Sequence, residues 1–325
     1  MNNQIVEQAA ELHKRTVVLD AHCDTLTVLA QQNRSLGQSA KQGHIDLPRL
    51  QMGGVKIQFF AAFIAPEYYN APLKRVLELI DIYYHEIEHN KNQINHVNNL
   101  DDIIHTLCLN KIAALLCIEG GECLEGSIGV LRQLYRLGVR CLTLTWNNSN
   151  ELGNGVYATA TSGLTEFGFA VVEELNHLGM LIDVSHLSKA GFNDVLRHSR
   201  QPVIASHSNC KAICNHPRNL SDQQIKSLAA KGGVIGITFV PEFVGGREAS
   251  IDEVLNHIDH AVAIGGIDCV GFGSDFDGTD TLAGIEDCTH WPLLTRRLIE
   301  RGYCEEEIQK ILGGNFMRVI GQVLK

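Results

Sequence analysis

Short, nearly continuous apolar runs recur along the chain, separated by stretches whose apolar positions repeat at helical spacing. The apolar runs predict β-strands at 16–24 (TVVLDAHCD), 55–64 (VKIQFFAAFI), 112–120 (IAALLCIEG) and 141–146 (CLTLTW). Four more fall at 180–186 (MLIDVSH), 202–208 (PVIASHS), 233–240 (GVIGITFV) and 269–277 (CVGFGSDFD). Amphipathic stretches at 71–90, 127–137, 166–178, 187–198, 221–230, 251–264 and 290–300 predict helices, and a helical pair closes the chain over 304–324. Start signals support two of them, Ser221-Asp222 and the capping box Ser250-Ile251-Asp252-Glu253. Strands that are apolar on both faces and alternate with helices belong to a parallel sheet covered on both sides. At 325 residues the leading architecture is a (β/α)8 TIM barrel, with a doubly wound open sheet as the alternative. No Gly/Ser/Pro linker and no low-complexity block divides the chain, which predicts one domain over 1–325.

Composition narrows the class. Hydrophobic residues make up 45% and charged residues 20%, as in a globular protein. The formal net charge is −10 and no Lys/Arg cluster stands out, which argues against a nucleic-acid partner. The start, MNNQIVEQAAELHKR, lacks the basic-then-apolar pattern of a secretory signal, and no apolar run reaches membrane-spanning length, so no membrane role and a cytoplasmic location are expected. Ten cysteines are scattered without a paired CxxC, which reads as small core residues and free thiols.

The chemistry lies at the strand ends. His22 and Asp24 end the first predicted strand, Glu119 the third, His186 the fifth, His207 the sixth and Asp275 the eighth. In a barrel those ends converge on one face, where active sites are built. Strand alternation puts His22 and Asp24 on one side and Cys23 on the other. Imidazole nitrogens with carboxylate oxygens suit a divalent metal, zinc first, with manganese, cobalt or iron as alternatives. His22, Asp24, Glu119, His186 and His207 are too many for one tetrahedral catalytic zinc with an open position. They divide between two metals that share Glu119. Taken singly, each has a plainer reading: a hydrogen-bonded structural histidine, a turn-forming Asp beside Gly278, or a Glu that opens a loop before Gly120. Their joint placement on one face favours a metal site. His85, His89 and His96 read as solvent-facing, and His44 and His105 have no evident partner. Phe239, Phe243 and Tyr68 are candidates to line a pocket.

The motifs DAHCDTL, IEGGECL, GMLIDVSHLS, PVIASHSNCKAICNHPRNLSD and VGFGSDFDG together resemble the membrane (renal) dipeptidase family of amidohydrolase-like barrels, from about Thr16 to Val323. The resemblance implies a binuclear zinc hydrolase, with two Zn2+ per chain, that cleaves dipeptides, including those with a C-terminal D-residue, and that forms a homodimer. It assigns His22 and Asp24 to one zinc, His186 and His207 to the other, and Glu119 to both. It further assigns Arg218 to the substrate carboxylate and Asp275 to acid–base catalysis. One position departs from the pattern. Trp146 stands in LTLTW where animal members carry a histidine that helps hold the substrate carbonyl region, and an indole offers a donor but no ligating nitrogen. Trp146 is expected to touch substrate as a pocket wall, with Asn147, Asn148 or His216 as possible replacements for the missing histidine. Two other readings compete: an amidohydrolase for a different amide, lactone or cyclic imide, and a metal-binding barrel without turnover. Many of the former bridge their metals with a carboxylated lysine, but no lysine ends a predicted central strand.

Overall fold

The computed structural model describes residues 2–32, 34–160 and 162–325. Nine strands form one parallel sheet: β1 Val18–Asp20, β2 Val55–Phe63, β3 Ile94–His96, β4 Ile112–Glu119, β5 Val139–Thr143, β6 Leu181–Asp183, β7 Ile204–Ser208, β8 Val234–Ile237 and β9 Val270–Phe272. The order β1-β2-β4-β5-β6-β7-β8-β9 makes eight barrel staves. The seam closes between β1 and β9. Ala21 N donates to Phe272 O at 3.0 Å, Asp275 N to His22 O at 3.2 Å and Asp24 N to Phe276 O at 2.9 Å. The two ends of the chain's first and last metal-capable motifs are thus stitched backbone to backbone, and the (β/α)8 barrel is the fold.

All eight predicted strands are present, and most are shorter at their C-terminal ends. β1 stops at Asp20, β6 at Asp183 and β9 at Phe272, before His22, His186 and Asp275. The physical reason is local. His186 and Asp275 both have φ of 65°, and Asp277 has 67°, in the left-handed region that leaves the β-ladder. The short strand β3 has a polar sequence and no apolar run to announce it. It takes the edge of β4 at Ile112–Ala114, and β5 takes over the same edge from Leu116.

Period-2 packing separates two cores. Ala113, Leu115 and Cys117 share a face with Glu119 and cluster with Leu19, Ile57, Phe59, Cys141 and Phe316. Phe316 comes from the last helix, Asn315–Val323, whose apolar face packs onto this inner cluster. Ala114, Leu116 and Ile118 point the other way, into the larger cluster with Val76, Leu79 and Leu131 of the surrounding helices. Those helices match the predicted periodic stretches. Pro72–His89, Ile128–Arg136, Glu166–Leu178 and Ile251–Gly265 follow them to within a residue or two, and both Ser221 and Ser250 form full capping boxes. No helix among the described residues is long and apolar enough to cross a membrane.

Neighbouring staves approach too closely for a side chain at some points. A Cβ on Gly236 in β8 would lie 2.0 Å from the Ser206 carbonyl oxygen in β7. Gly236→Ala is expected to lose about 1–3 kcal/mol of stability through overpacking against backbone that cannot rotate away. The check is a lowered urea midpoint with an unchanged slope.

Candidate metal centre and substrate cavities

Glu119 is the last residue of β4 and is 3% exposed. Its two carboxylate oxygens face different partners. Oε1 lies 2.8 Å from His186 Nε2 and 3.5 Å from His207 Nε2, while Oε2 lies 3.4 Å from His22 Nε2. His22 Nε2 is in turn 3.7 Å from Asp24 Oδ2 and 3.9 Å from Asp275 Oδ1. The His22 and His207 rings stack with centroids 3.8 Å apart. The structure therefore brings together all five sequence-expected ligands and Asp275. Cys23, as alternation requires, turns away into the apolar core.

The histidine tautomers follow from what the outer nitrogens touch. His186 Nδ1 lies 2.8 Å from Asn147 Oδ1, an acceptor, so the proton sits on Nδ1. Ser206 Oγ gives its proton to Asp183 Oδ2 at 2.6 Å and so accepts from His207 Nδ1 at 2.8 Å. Both Nε2 atoms are then left as lone pairs, 2.8 Å from each other and both facing Glu119 Oε1. Lone pairs and a carboxylate oxygen converging in a buried space repel unless a cation lies among them. Burial and the nearby Arg218 push His186 down to about 4, and burial with His22 pushes His207 well below the usual histidine range, so protonation of these rings does not supply that cation.

The other half of the site makes the same demand. His22 Nε2 and Asp24 Oδ1 are buried and have no hydrogen-bond partner among the described residues. Burial, together with the charge of Glu119, pushes Asp24 up to about 8. Burial would pull His22 down, but Glu119 and Asp24 outweigh it and hold the ring well above its usual value. Burial would likewise raise Glu119, but His22, His186 and His207 keep it well below the carboxylate range. Three imidazoles and two carboxylates crowded into one buried space fit divalent metal as a donor set.

Buried hydrogen bonds fix the loops that carry these groups. Asp20 at the end of β1 accepts from Ser274 N at 2.8 Å, Ser274 Oγ at 2.6 Å, Gln58 Nε2 at 3.0 Å and His22 N at 3.3 Å. Asp183 at the end of β6 accepts from Thr143 Oγ1 at 2.5 Å, Ser206 Oγ, Ser206 N at 2.8 Å and Ser185 N at 3.0 Å. Asp277 takes Thr25 Oγ1 at 2.8 Å, Arg34 Nη2 at 3.2 Å and His44 N at 2.5 Å, and its own N–H donates to His44 Nδ1 at 2.8 Å. His44, partnerless in sequence, thus belongs to a clamp on the loop that holds Asp275. Sequence reading missed Asn147, Ser206, Asp183 and Asp277 as supports, because their partners are distant in the chain.

Two cavities flank the centre and share His186. One, of about 320 Å³, is lined by Asp24, Glu119, Trp146, Phe243 and Asp275 among others. Trp146 packs against Phe63 at 5.5 Å and His186 at 6.1 Å between ring centroids, forming its aromatic wall. Burial pushes Asp275 above the usual carboxylate range, with Glu119 adding to that and His22 and Arg218 pulling against it. The second cavity, of about 260 Å³, is lined by Arg218. Arg218 is 2% exposed; it donates Nη2–H to His207 O at 2.9 Å, lies 5.3 Å from the Phe243 ring centroid, and leaves Nε without a partner among the described residues. Several weaker candidates fall elsewhere. His216 stacks on Phe243 at 4.5 Å, Tyr68 lies under Arg75, and Phe239 is buried against Phe272 and Trp291. His96 is not solvent-facing as expected: it lies in β3, bonded to Tyr83 Oη at 2.8 Å, because the unforeseen strand carries it inward. His85 and His89 are exposed.

Comparison with known proteins agrees with this geometry. The membrane dipeptidase family, peptidase family M19, matches residues 6–325. Dipeptidase verJ of Clonostachys rogersoniana is 34% identical over 306 residues, covering 88% of this chain and 77% of its own. An uncharacterized dipeptidase of Schizosaccharomyces pombe is 35% identical over 341 residues, covering 95% of this chain and 81% of its own. The crystal structure of a metallo peptidase from Rhodobacter sphaeroides, liganded with a phosphinate mimic of the dipeptide L-Ala-D-Ala, superposes with a TM-score of 0.89 at 27% identity, covering 95% of this chain and 99% of the other. The chain belongs to the membrane dipeptidase family, peptidase family M19, and is a metallopeptidase that acts as a dipeptidase.

Proposed function

We propose that the chain is a binuclear zinc dipeptidase whose substrates include dipeptides with a C-terminal D-residue. The observation that carries the reading is the division of Glu119, one oxygen toward His186 and His207 and the other toward His22. His22 and Asp24 would hold one ion, His186 and His207 the other, and Glu119 both. Bound zinc supplies Lewis acidity, which lowers the pKa of water and polarises a carbonyl oxygen. The D-residue preference is supported by the L-Ala-D-Ala mimic bound to the Rhodobacter sphaeroides relative.

The residues of the chain do the remaining work. The two cavities match a dipeptide. The one lined by Arg218 suits the carboxylate end, and the one beside the metal ligands and Asp275 suits the amide to be cleaved. Arg218 grips the terminal carboxylate with the guanidinium donors left free by His207 O, in a two-point contact that an ammonium could not reproduce. A longer peptide would present no free carboxylate there. Asp275, whose Oδ1 lies 3.9 Å from His22 Nε2, takes the proton of the attacking water and passes it to the leaving amine nitrogen. Trp146 walls the cavity and orients the substrate by contact, with no lone pair for a metal.

Metal analysis of active protein is expected to give about two divalent ions per chain, and chelation should lower the thermal midpoint because the facing lone pairs lose their cation. One ion or none in active protein would refute the binuclear reading. Asp275→Asn should keep its metal and lose on the order of a hundredfold in kcat; turnover near the unsubstituted level would remove Asp275 from proton transfer. Arg218→Lys should raise KM for dipeptides and spare amides without a carboxylate, and an equal effect on both would contradict carboxylate recognition.

A further inference from the structure

The cavity lined by Arg218 carries more positive charge than one carboxylate can answer. Lys189, at the start of the helix Lys189–His198, and Lys211, in the loop after β7, line it together with Arg218, Ser208 and Gln224. No Asp or Glu among the described residues lines it. Neither lysine ammonium makes an ion pair among the described residues, whereas Arg197 on the Lys189 helix pairs with Asp194. The acids nearest Lys189 in sequence, Asp183 and Asp194, are bonded to Ser206 and Arg197, and Asp222, nearest Lys211, is engaged by His260 at 2.8 Å. Three cations therefore face one space, and the terminal carboxylate of a dipeptide neutralises one of them. An unpaired excess of like charge around a small cavity costs self-repulsion unless a ligand balances it.

We propose that this cavity is a subsite for an acidic side chain on the C-terminal residue of the substrate, so that the enzyme prefers dipeptides ending in Asp or Glu. The inference rests on the dipeptidase reading with Arg218 at the terminal carboxylate. Arg218 lies deep and rigid, and takes the main-chain carboxylate. Lys189 and Lys211 are exposed and lie nearer the opening, where a side-chain carboxylate one or two methylenes longer reaches them. Because the lysines face solvent, their attraction is screened by salt, whereas the contact of the buried Arg218 is screened much less.

The test is the ratio of kcat/KM for Ala-Glu to that for the neutral isostere Ala-Gln. Reading a ratio within each protein cancels losses of folded enzyme. The ratio is expected to exceed one in the unsubstituted protein, to fall about five- to tenfold in the Lys189→Ala/Lys211→Ala double variant, and to shrink toward one as salt is raised. A ratio at or below one, or a ratio indifferent to the double substitution, overturns the subsite while leaving the dipeptidase reading intact. Cleavage of neither by metal-loaded protein that turns over other dipeptides overturns the subsite alone, whereas failure on every dipeptide tried overturns the reading of the metal site and Arg218 on which it rests.

Discussion

The structure turns on a buried negative charge. Glu119 sits at the end of a fully buried strand, in a space it shares with three imidazoles and two further carboxylates. Nothing about folding alone rewards such a cluster, since each polar end gives up its water. It persists because its members face one another in a geometry that a cation would satisfy: two lone pairs 2.8 Å apart, both aimed at one carboxylate oxygen. Burial with the charge of Glu119 raises Asp24; against burial, the two carboxylates raise His22 and the three imidazoles lower Glu119, so the groups of the cluster are tied to one another electrostatically. What would be a defect in an ordinary core fits the candidate metal site of a metallopeptidase.

Holding that arrangement requires rigidity outside it. Asp20 and Asp183 each collect four hydrogen bonds at a strand end, tying β1 to the loop after β9 and β6 to the start of the His207 segment. These bonds help to offset the strain of the left-handed residues His186 and Asp275, conformations that cost on the order of 1–3 kcal/mol each where side chains are present. The barrel seam lies in the same place, so closure of the fold and assembly of the site are one event. Trp146, tilted against Phe63 and His186, adds an aromatic wall beside these groups.

Electrostatic polarity then gives the site a direction. Acidic side chains line one flank of His186 and basic ones the other. In the proposed reading the carboxylates of the acidic flank are taken up by metal, which leaves the basic flank to meet the carboxylate end of a dipeptide. Arg218, buried, in no ion pair and with Nε unpartnered among the described residues, is the fixed cation of that flank.

Much of this was legible in the sequence. Apolar runs and helical periodicity are local properties, and they gave eight staves, the main helices and the caps at Ser221 and Ser250. Alternation placed His22 and Asp24 on one side of the chain, and the rule that barrel strands end on the catalytic face grouped them with Glu119, His186, His207 and Asp275. Strand β3 was not legible, because edge pairing with β4 rescues a segment with no apolar run of its own. Nor were the left-handed backbones of His186 and Asp275, which tertiary hydrogen bonds impose on residues without a glycine's freedom. The amino-acid sequence by itself determined which chemical groups reach the catalytic face. Only the tertiary structure decided which nitrogen of each histidine faces inward, which oxygen of Glu119 meets which ring, and how charge divides between the two cavities. Those depend on contacts such as Asn147 with His186, or Asp183 with Ser206, which exist only once the barrel has closed.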